Sequence, residues 1–349
     1  MKKLNLLLFG VICWLSAAGQ DYMFSQPWLS PIYLNPAAIG SGEGDWRFSA
    51  MYRMQYQSLP SSMRNIVVSA EKYFPEKKVG AGLLLSSSNE GYLAKDAVYA
   101  VASKTFCAKE DAALNLEGSY YLTLAAQFGF VNRRIDYSKL VFSDQLGPGG
   151  IIPGLGTEAN LPGKSGAWYF DAAAGAVLGI KVDNAHFLSA GLSAHHINRA
   201  DESLLSTNNG YLAKVPVRWT FNMAYVISID DPWTWTPEII YYYQAGSNAF
   251  QAGCEHTWNN IGLSCGLWYR SPLSKIQTGA LVISAAFVLG GKGDKSSLRV
   301  AGAYDYYTGG NTYTHSGGST EFGLLWDTKS GTSSGDQCKP VFSPWKCPL

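Results

Sequence analysis

Apolar and polar side chains alternate at every second position through much of this 349-residue chain. From Trp46 to Tyr56 the even positions are Trp46, Phe48, Ala50, Tyr52, Met54 and Tyr56, while Arg47, Ser49, Met51, Arg53 and Gln55 fall between them. Leu114 to Phe130 sets Leu114, Leu116, Tyr120, Leu122, Leu124, Phe128 and Phe130 against Asn115, Glu117, Ser119, Thr123 and Gln127. In Val215 to Ile227, Val215, Val217, Trp219, Phe221, Met223, Tyr225 and Ile227 oppose Arg218, Thr220 and Asn222, and near the end Phe322, Leu324 and Trp326 oppose Glu321 and Gly323. Successive strand side chains point to opposite faces, so each segment predicts a strand with one apolar and one polar side. A soluble sandwich alternates as well, but its outward face is strongly charged. Here each polar face carries one or two charges at most, and aromatics crowd the strand ends, as membrane interfaces require.

The connections sort into two classes. Short ones rich in Pro, Gly, Asn and Asp fall at Pro75 to Val79, Ala108 to Ala112, Asp183 to His186, Ser228 to Thr234, Asn259-Asn260 and Gly290 to Ser297. They alternate with Ser58 to Arg64, Asn89 to Asp96, Asn132 to Ala167, Asn198 to Lys214, Gln244 to Asn248, Ser271 to Lys275 and Tyr307 to Gly318. The long connections all belong to the second class. The expected fold is all-β: a transmembrane antiparallel β-barrel of about fourteen strands, with both termini periplasmic and the long loops outside.

The remaining chain fits around that barrel. Met1-Lys2-Lys3, the apolar run Leu4 to Leu15 and the small residues Ser16 to Gly19 read as a secretory signal peptide over residues 1–19. Ile12 before Cys13 argues against lipidation. Residues 20–45 are expected to form a periplasmic amino-terminal segment, 46–327 the barrel and 328–349 a periplasmic tail. The first of these is aromatic, with Tyr22, Phe24, Trp28 and Tyr33, so order is expected there, either as a partner surface or as a plug entering from below. Past the first segment no run approaches the roughly 18 apolar residues of a membrane helix. Charged residues make up 15% and aromatics 13%, with 37 Gly and 21 Tyr, which suits a barrel in lipid. With 27 Lys plus Arg against 26 Asp plus Glu, nothing favours nucleic acid.

Candidate chemistry is sparse. The alternation turns Arg47, Arg53, Glu71, Glu117, Arg218, Glu255, Arg270, Arg299, Asp305 and Glu321 into the lumen, where mixed signs favour mutual pairing over a selective ring of one charge. Unpaired, each would cost several kcal/mol. His195-His196 is expected to act at a strand end, since adjacent strand residues diverge and cannot easily share a metal. Ser193 beside His195 lacks an identifiable acid or oxyanion hole, so no catalytic residue is assigned, and no cofactor or metal is expected. Cys254 and Cys265 would oppose each other across a two-residue turn at Asn259-Asn260, both facing lipid, and are read as small side chains rather than a disulfide. Cys338 and Cys347 close a short loop in the tail and are expected to pair; Cys107 is left alone. The long outer loops carry Tyr137, Phe142, Tyr211, Tyr307 and Tyr313, an aromatic set suited to binding a partner. The largest is expected to fold over or into the barrel mouth.

Particular residues resemble the PorP/SprF family, outer-membrane proteins associated with the type IX secretion system of Bacteroidota. They are Gln20 to Gln26, including Phe24-Ser25-Gln26, then Tyr33 to Ser41, including Asn35-Pro36 and Gly40, and Tyr52-Arg53 with Gln55. Others are Tyr137 to Phe142, Gly191 to His196 with Asn198-Arg199, Trp268-Tyr269-Arg270, Ala303-Tyr304-Asp305-Tyr306, Gly317 to Glu321 and Lys346-Cys347-Pro348. The resemblance implies a fourteen-stranded, non-enzymatic barrel that binds or anchors secreted cell-surface proteins through their C-terminal sorting domain. It implies links to periplasmic secretion-system or peptidoglycan-binding proteins, and a place in gliding motility or protein secretion. The runner-up is a passive porin or solute channel; a hydrolase using Ser193 and His195 is a distant third.

Overall fold

The computed structural model describes residues 21–41, 45–59, 62–108, 120–152, 154–159, 161, 165–183, 185–204, 213–229, 232–271, 279–290, 296–308 and 316–328. The first strands are β1 (Trp46–Gln55), β2 (Met63–Phe74), β3 (Val79–Glu90), β4 (Leu93–Ala108) and β5 (Tyr120–Ile135). A two-residue ladder, β6 (Leu146–Gly147) with β7 (Gly150–Ile151), interrupts the loop that follows. Then come β8 (Gly166–Lys181), β9 (His186–His195), β10 (Arg218–Ile229), β11 (Trp233–Gln244) and β12 (Ser247–Trp258). The last are β13 (Leu263–Arg270), β14 (Ala280–Gly290), β15 (Ser297–Tyr307) and β16 (Ser319–Asp327).

Among the described residues, fourteen of these strands form one closed antiparallel barrel, with each neighbour in the chain a neighbour in the wall and β16 returning to β1. Closure removes every open edge, the condition for crossing lipid with strands. No helix of the described residues is long and apolar enough to cross a membrane. The period-two pattern becomes two surfaces: Phe48, Leu83, Leu122, Phe221, Leu267, Ile283 and Phe322 face outward and exposed, while Met51, Glu71, Thr123, Thr220 and Glu321 are buried within. We call the end where β1 starts and β16 stops the closing end, and the opposite one the far end.

The sequence reading needs correction at several points. The segment expected to start at Leu114 is strand only from Tyr120, and Glu117 lies outside the described residues. Val215 is not a lipid-facing strand residue; it is buried ahead of β10, its amide donating to the Ala200 carbonyl. The hairpin at Asn259 is longer than two residues, because Gly262 adopts φ +68 and extends the turn. Cys254 therefore opposes Leu267, and Cys265 opposes His256. Neither is in a disulfide, nor is Cys107.

Two larger corrections concern the ends of the barrel. Residues 21–41 are not a periplasmic partner surface but follow the other expectation, a plug: almost every one is buried, inside the lumen. Of the two placements expected for the long far-end loop, over or into the mouth, the second does not hold for Val141, Leu146, Ile151, Ile152 and Leu155, which are all exposed. It has a structure of its own, in which Asp144 accepts from Thr157 Oγ1 (2.9 Å) and the Glu158 amide (2.5 Å).

Glycines on the inner wall make room for what fills the lumen. A Cβ on Gly266 would lie 1.7 Å from the Trp268 ring, which in turn packs at 4.7 Å on Trp28 of the lumenal segment. Gly266→Ala is expected to lower stability by about 1–3 kcal/mol through overpacking. The loss will appear as a lower temperature for converting the compact band to the unfolded band in electrophoresis; Gly302→Ala, whose Cβ would meet nothing closer than 3.7 Å, serves as the neutral control.

Candidate functional site

The amino-terminal segment runs the length of the lumen, from the far mouth at Asp21 to the closing end at Ser41. Prolines break it into short turns: a 3-10 turn Pro27–Leu29, one turn of α-helix Pro31–Leu34 and a second 3-10 turn Pro36–Ala38. Each begins with Pro, whose fixed φ suits a first helical position and whose missing N–H needs no partner there. The apolar side chains Phe24, Trp28, Leu29, Ile32 and Ile39 join inward wall residues such as Met51, Val67, Trp268 and Leu325 in one buried cluster.

Ser25 stands at the densest polar point. Its hydroxyl donates to Asp305 Oδ1 (2.6 Å) and accepts from Arg53 Nη1 (2.6 Å) and Arg270 Nη2 (2.9 Å). The Ser25 and Gln26 amides each donate to Glu321 at 2.7 Å, and the Ser25 carbonyl accepts from Gln251 Nε2 at 2.8 Å. Arg53 pairs with Asp305 (2.5 Å) and Glu321 (3.2 Å), and Arg270 with Asp305. Two guanidinium groups and two carboxylates thus neutralise each other around one serine, all buried. In such surroundings each ion is tolerable only because partners replace its water.

Lower down, Asn35 accepts from the Ala37 amide (2.9 Å) and donates to the Ala176 carbonyl (3.1 Å). It sits in a notch left by Gly175 and Gly191, where added Cβ atoms would come within 2.1 and 2.8 Å of its amide atoms. Gly40 adopts φ +79, its amide donates to Glu71 Oε2 (2.7 Å), and a Cβ there would press on Tyr73 at 2.9 Å. At the closing end Arg47 binds Asp327 (3.0 Å) and donates to Ser41 Oγ (3.1 Å).

The far mouth holds a second cluster. The Asp21 amide donates to Gln244 Oε1 (2.8 Å), and its carboxylate meets His196 (2.8 Å), Arg218 (3.2 Å) and Lys95 (3.5 Å). The other His196 ring nitrogen lies 2.8 Å from Asp171, to which Tyr99 also donates at 2.9 Å. A carboxylate on each nitrogen requires both to be donors, hence the imidazolium. Burial opposes that charge, but Asp21 and then Asp171 outweigh it and raise His196 to about 8. Beside the cluster a cavity of about 140 Å³, lined by Glu90, Lys95, Gln127, Arg133 and Glu202, has room for a few waters.

Phe24, Ser25, Gln26, Arg53, Arg270, Asp305 and Glu321, distant in sequence, therefore meet in one place, with Asn35, Pro36 and Gly40 further along the same segment. Glu255 pairs with Arg299 at 2.9 Å elsewhere in the lumen. Tyr137 and Phe142 are half-buried in a far-end loop, whereas Tyr307, expected in a loop, is the half-buried last residue of β15, donating to or accepting from Ser319 Oγ at 2.7 Å. Tyr211, Tyr313, Cys338 and Cys347 lie outside the described residues. The expected divergence of His195 and His196 does not hold, because His196 adopts φ +59 at the end of β9 and both rings are buried. Ser193 Oγ donates to the Leu34 carbonyl (3.0 Å), with His195 Nε2 3.3 Å from the same oxygen, so both face the plug. Among the described residues no three His, Cys, Asp or Glu side chains are arranged to hold a metal ion. His196 sits at the strand end expected for the His195-His196 pair, but its pairing with Asp21 was not foreseen, and Lys95 and Asp171 were not singled out; Asp171, opposite in phase to Phe170, carried a lumen signal in the sequence.

A family model described as "Type IX secretion system membrane protein PorP/SprF" matches residues 16–326. No curated protein matches the chain. Among solved structures, the CymD monoaromatic hydrocarbon channel aligns with TM-score 0.47 and 10% identity, over 90% of this chain and 94% of that one. The Ralstonia pickettii toluene transporter TbuX gives TM-score 0.47 and 10% identity over 86% and 93% of the chains. Omp33 of Acinetobacter baumannii gives 0.40 and 8% over 83% and 99%.

Two outcomes follow from the clusters. Arg53→Met leaves Asp305 and Glu321 short of a buried partner and is expected to cost about 3–5 kcal/mol, measured by urea unfolding in detergent. His196, raised above its ordinary value of 6.5, adds stability that is complete below about pH 6.5 and is lost as the pH rises through about 8. Amide exchange at residues 21–24 is therefore expected to accelerate across that window in the wild type, and to lose the step in His196→Gln.

Proposed function

The chain belongs to the PorP/SprF family of type IX secretion system membrane proteins, and from that premise we propose that it is a non-enzymatic anchor for exported proteins in the outer membrane. In this reading the far end faces the cell exterior. There the loops spanning residues 136–165, 196–217 and 308–318 hold the C-terminal sorting domain of a secreted surface protein. Tyr137, Phe142, Tyr211, Tyr307 and Tyr313 are the aromatic anchors of that surface. The closing end faces the periplasm, where the short turns and the tail 328–349 meet secretion-system or peptidoglycan-binding proteins. Residues 21–41 drop out of the periplasmic surface, because the lumen takes them up.

One observation carries this reading over a solute channel: the chain's own amino-terminal segment runs the length of the lumen, held by hydrogen bonds of Ser25 and Gln26 to buried charged wall residues and by the ion pairs of Asp21 rather than by loose contact. A polypeptide cannot share that space with a permeating solute, so the useful surfaces are the rims. The exposed Val141, Leu146, Ile151, Ile152 and Leu155 supply apolar area on the far rim, of the kind that marks a protein contact.

Copurification from native membranes, read by mass spectrometry, is expected to recover an exported protein bearing the sorting domain, and deletion of residues 143–164 is expected to abolish its recovery while the barrel still folds. Retained binding would remove the loop from the docking surface. In planar bilayers the wild type is expected to show no stable conductance, and a chain lacking residues 21–41 to show open-channel steps. Conductance by the wild type would restore the porin reading.

A further inference from the structure

The pairing of β1 with β16 joins the first and last strands of the ring, so it has the largest sequence separation and the greatest loop-closure cost of any pairing in the wall. It is also the pairing with the least local guidance, since no hairpin turn sets its register. The lumenal segment is continuous with β1 and touches both strands of this seam at three heights. Near the far end Arg53 and Glu321 are direct register partners, and Ser25 bonds both, accepting from Arg53 at 2.6 Å and donating its amide to Glu321 at 2.7 Å. Midway, Met51 opposes Gly323, and the Leu29 side chain fills the hollow that glycine leaves; a Cβ there would come within 2.3 Å of Leu29. At the closing end Arg47 and Asp327 are again direct partners, bonded at 3.0 Å, with Ser41 Oγ on the same guanidinium at 3.1 Å.

We propose that the lumenal segment is the template on which the barrel closes, with Ser25, Leu29 and Ser41 bringing β1 and β16 together in register. Each point reads a different feature, an ion pair, a missing Cβ and a second ion pair, so they agree only in the native register. A slip of two residues separates both ion pairs and puts Leu29 against a side chain; a slip of one turns the charges toward lipid. The segment also spans too much to be threaded easily into a finished ring, because Asp21 is bound at the far mouth by side chains from or beside β4, β9, β10 and β11. Closing the wall around it needs no such passage.

The test follows closure directly. In the full chain with its native cysteines replaced, Ala50→Cys and Leu324→Cys place thiols on opposed, outward positions of the seam. The rate of their cross-linking is read while urea-unfolded protein folds into lipid vesicles. Leu29→Ala is compared with Leu34→Ala, a change of the same kind at an equally buried residue whose cluster includes Tyr121, Val177 and Ile240 and no residue of β1 or β16. Leu29→Ala and Ser25→Ala are expected to slow cross-linking at least fivefold, whereas Leu34→Ala mainly speeds unfolding and leaves cross-linking within twofold of wild type. If Leu29→Ala does not fold, Leu29→Val against Leu34→Val makes the same comparison. Equal slowing at both positions would mean that the segment only fills space, and no slowing at either would mean that the seam closes before the segment docks; each result overturns the proposal.

Discussion

Inside a ring of strands closed against lipid, a charged side chain exchanges bulk water for whatever the chain itself supplies. That exchange governs this protein. The inner wall presents Arg47, Arg53, Glu71, Arg218, Arg270, Arg299, Asp305 and Glu321; several pair within the wall, as Arg53 with Asp305 and Arg299 with Glu255, but the plug completes the set: Glu321 accepts two amides from Ser25 and Gln26, Glu71 accepts one from Gly40, and Arg218 reaches Asp21. Wall and plug were therefore shaped against each other. Removing the plug takes the ion-pair partner from Arg218 and hydrogen bonds from Glu321 and Glu71, which is far more costly than losing an exposed ion pair.

The same constraint explains why the plug is an irregular chain and not a helix or strand. Its short Pro-led turns release amides and carbonyls toward the wall, and the wall meets them with side chains: Gln251 on the Ser25 carbonyl, Ser193 on the Leu34 carbonyl, Glu321 on two amides. A regular helix would spend those groups on itself. Glycines at positions 175, 191, 266 and 323 complete the fit by letting Asn35, Trp268 and Leu29 approach the wall backbone.

In the proposed anchoring role, the filled lumen leaves the rims as the working surfaces. The far rim carries an ordered loop with exposed aliphatic side chains and the His196 cluster that ties down Asp21; the closing rim carries short turns and the exit of the chain after Asp327. An anchoring role needs two such faces held rigidly apart, and a barrel with a packed interior provides that stiffness better than an open pore.

Much of this was legible in the residues. Alternation such as Trp46 to Tyr56 set the strands and their inward face, because a one-residue period error would expose every charge to lipid; the parity and length of the connections gave the strand number. The family resemblance singled out Phe24-Ser25-Gln26, and the alternation turned Arg53, Arg270, Asp305 and Glu321 inward. Neither said that these bind each other, nor that Asp21 ends at the far mouth beside His196, nor that the turn after Trp258 is long enough to offset Cys254 from Cys265. Those facts depend on contacts between residues up to 296 positions apart and on single left-handed residues such as Gly262 and His196. Alternation is a property of neighbours and is written in the sequence by itself; which distant group neutralises which charge is decided only when the ring closes, because only then does each buried ion have a fixed set of partners.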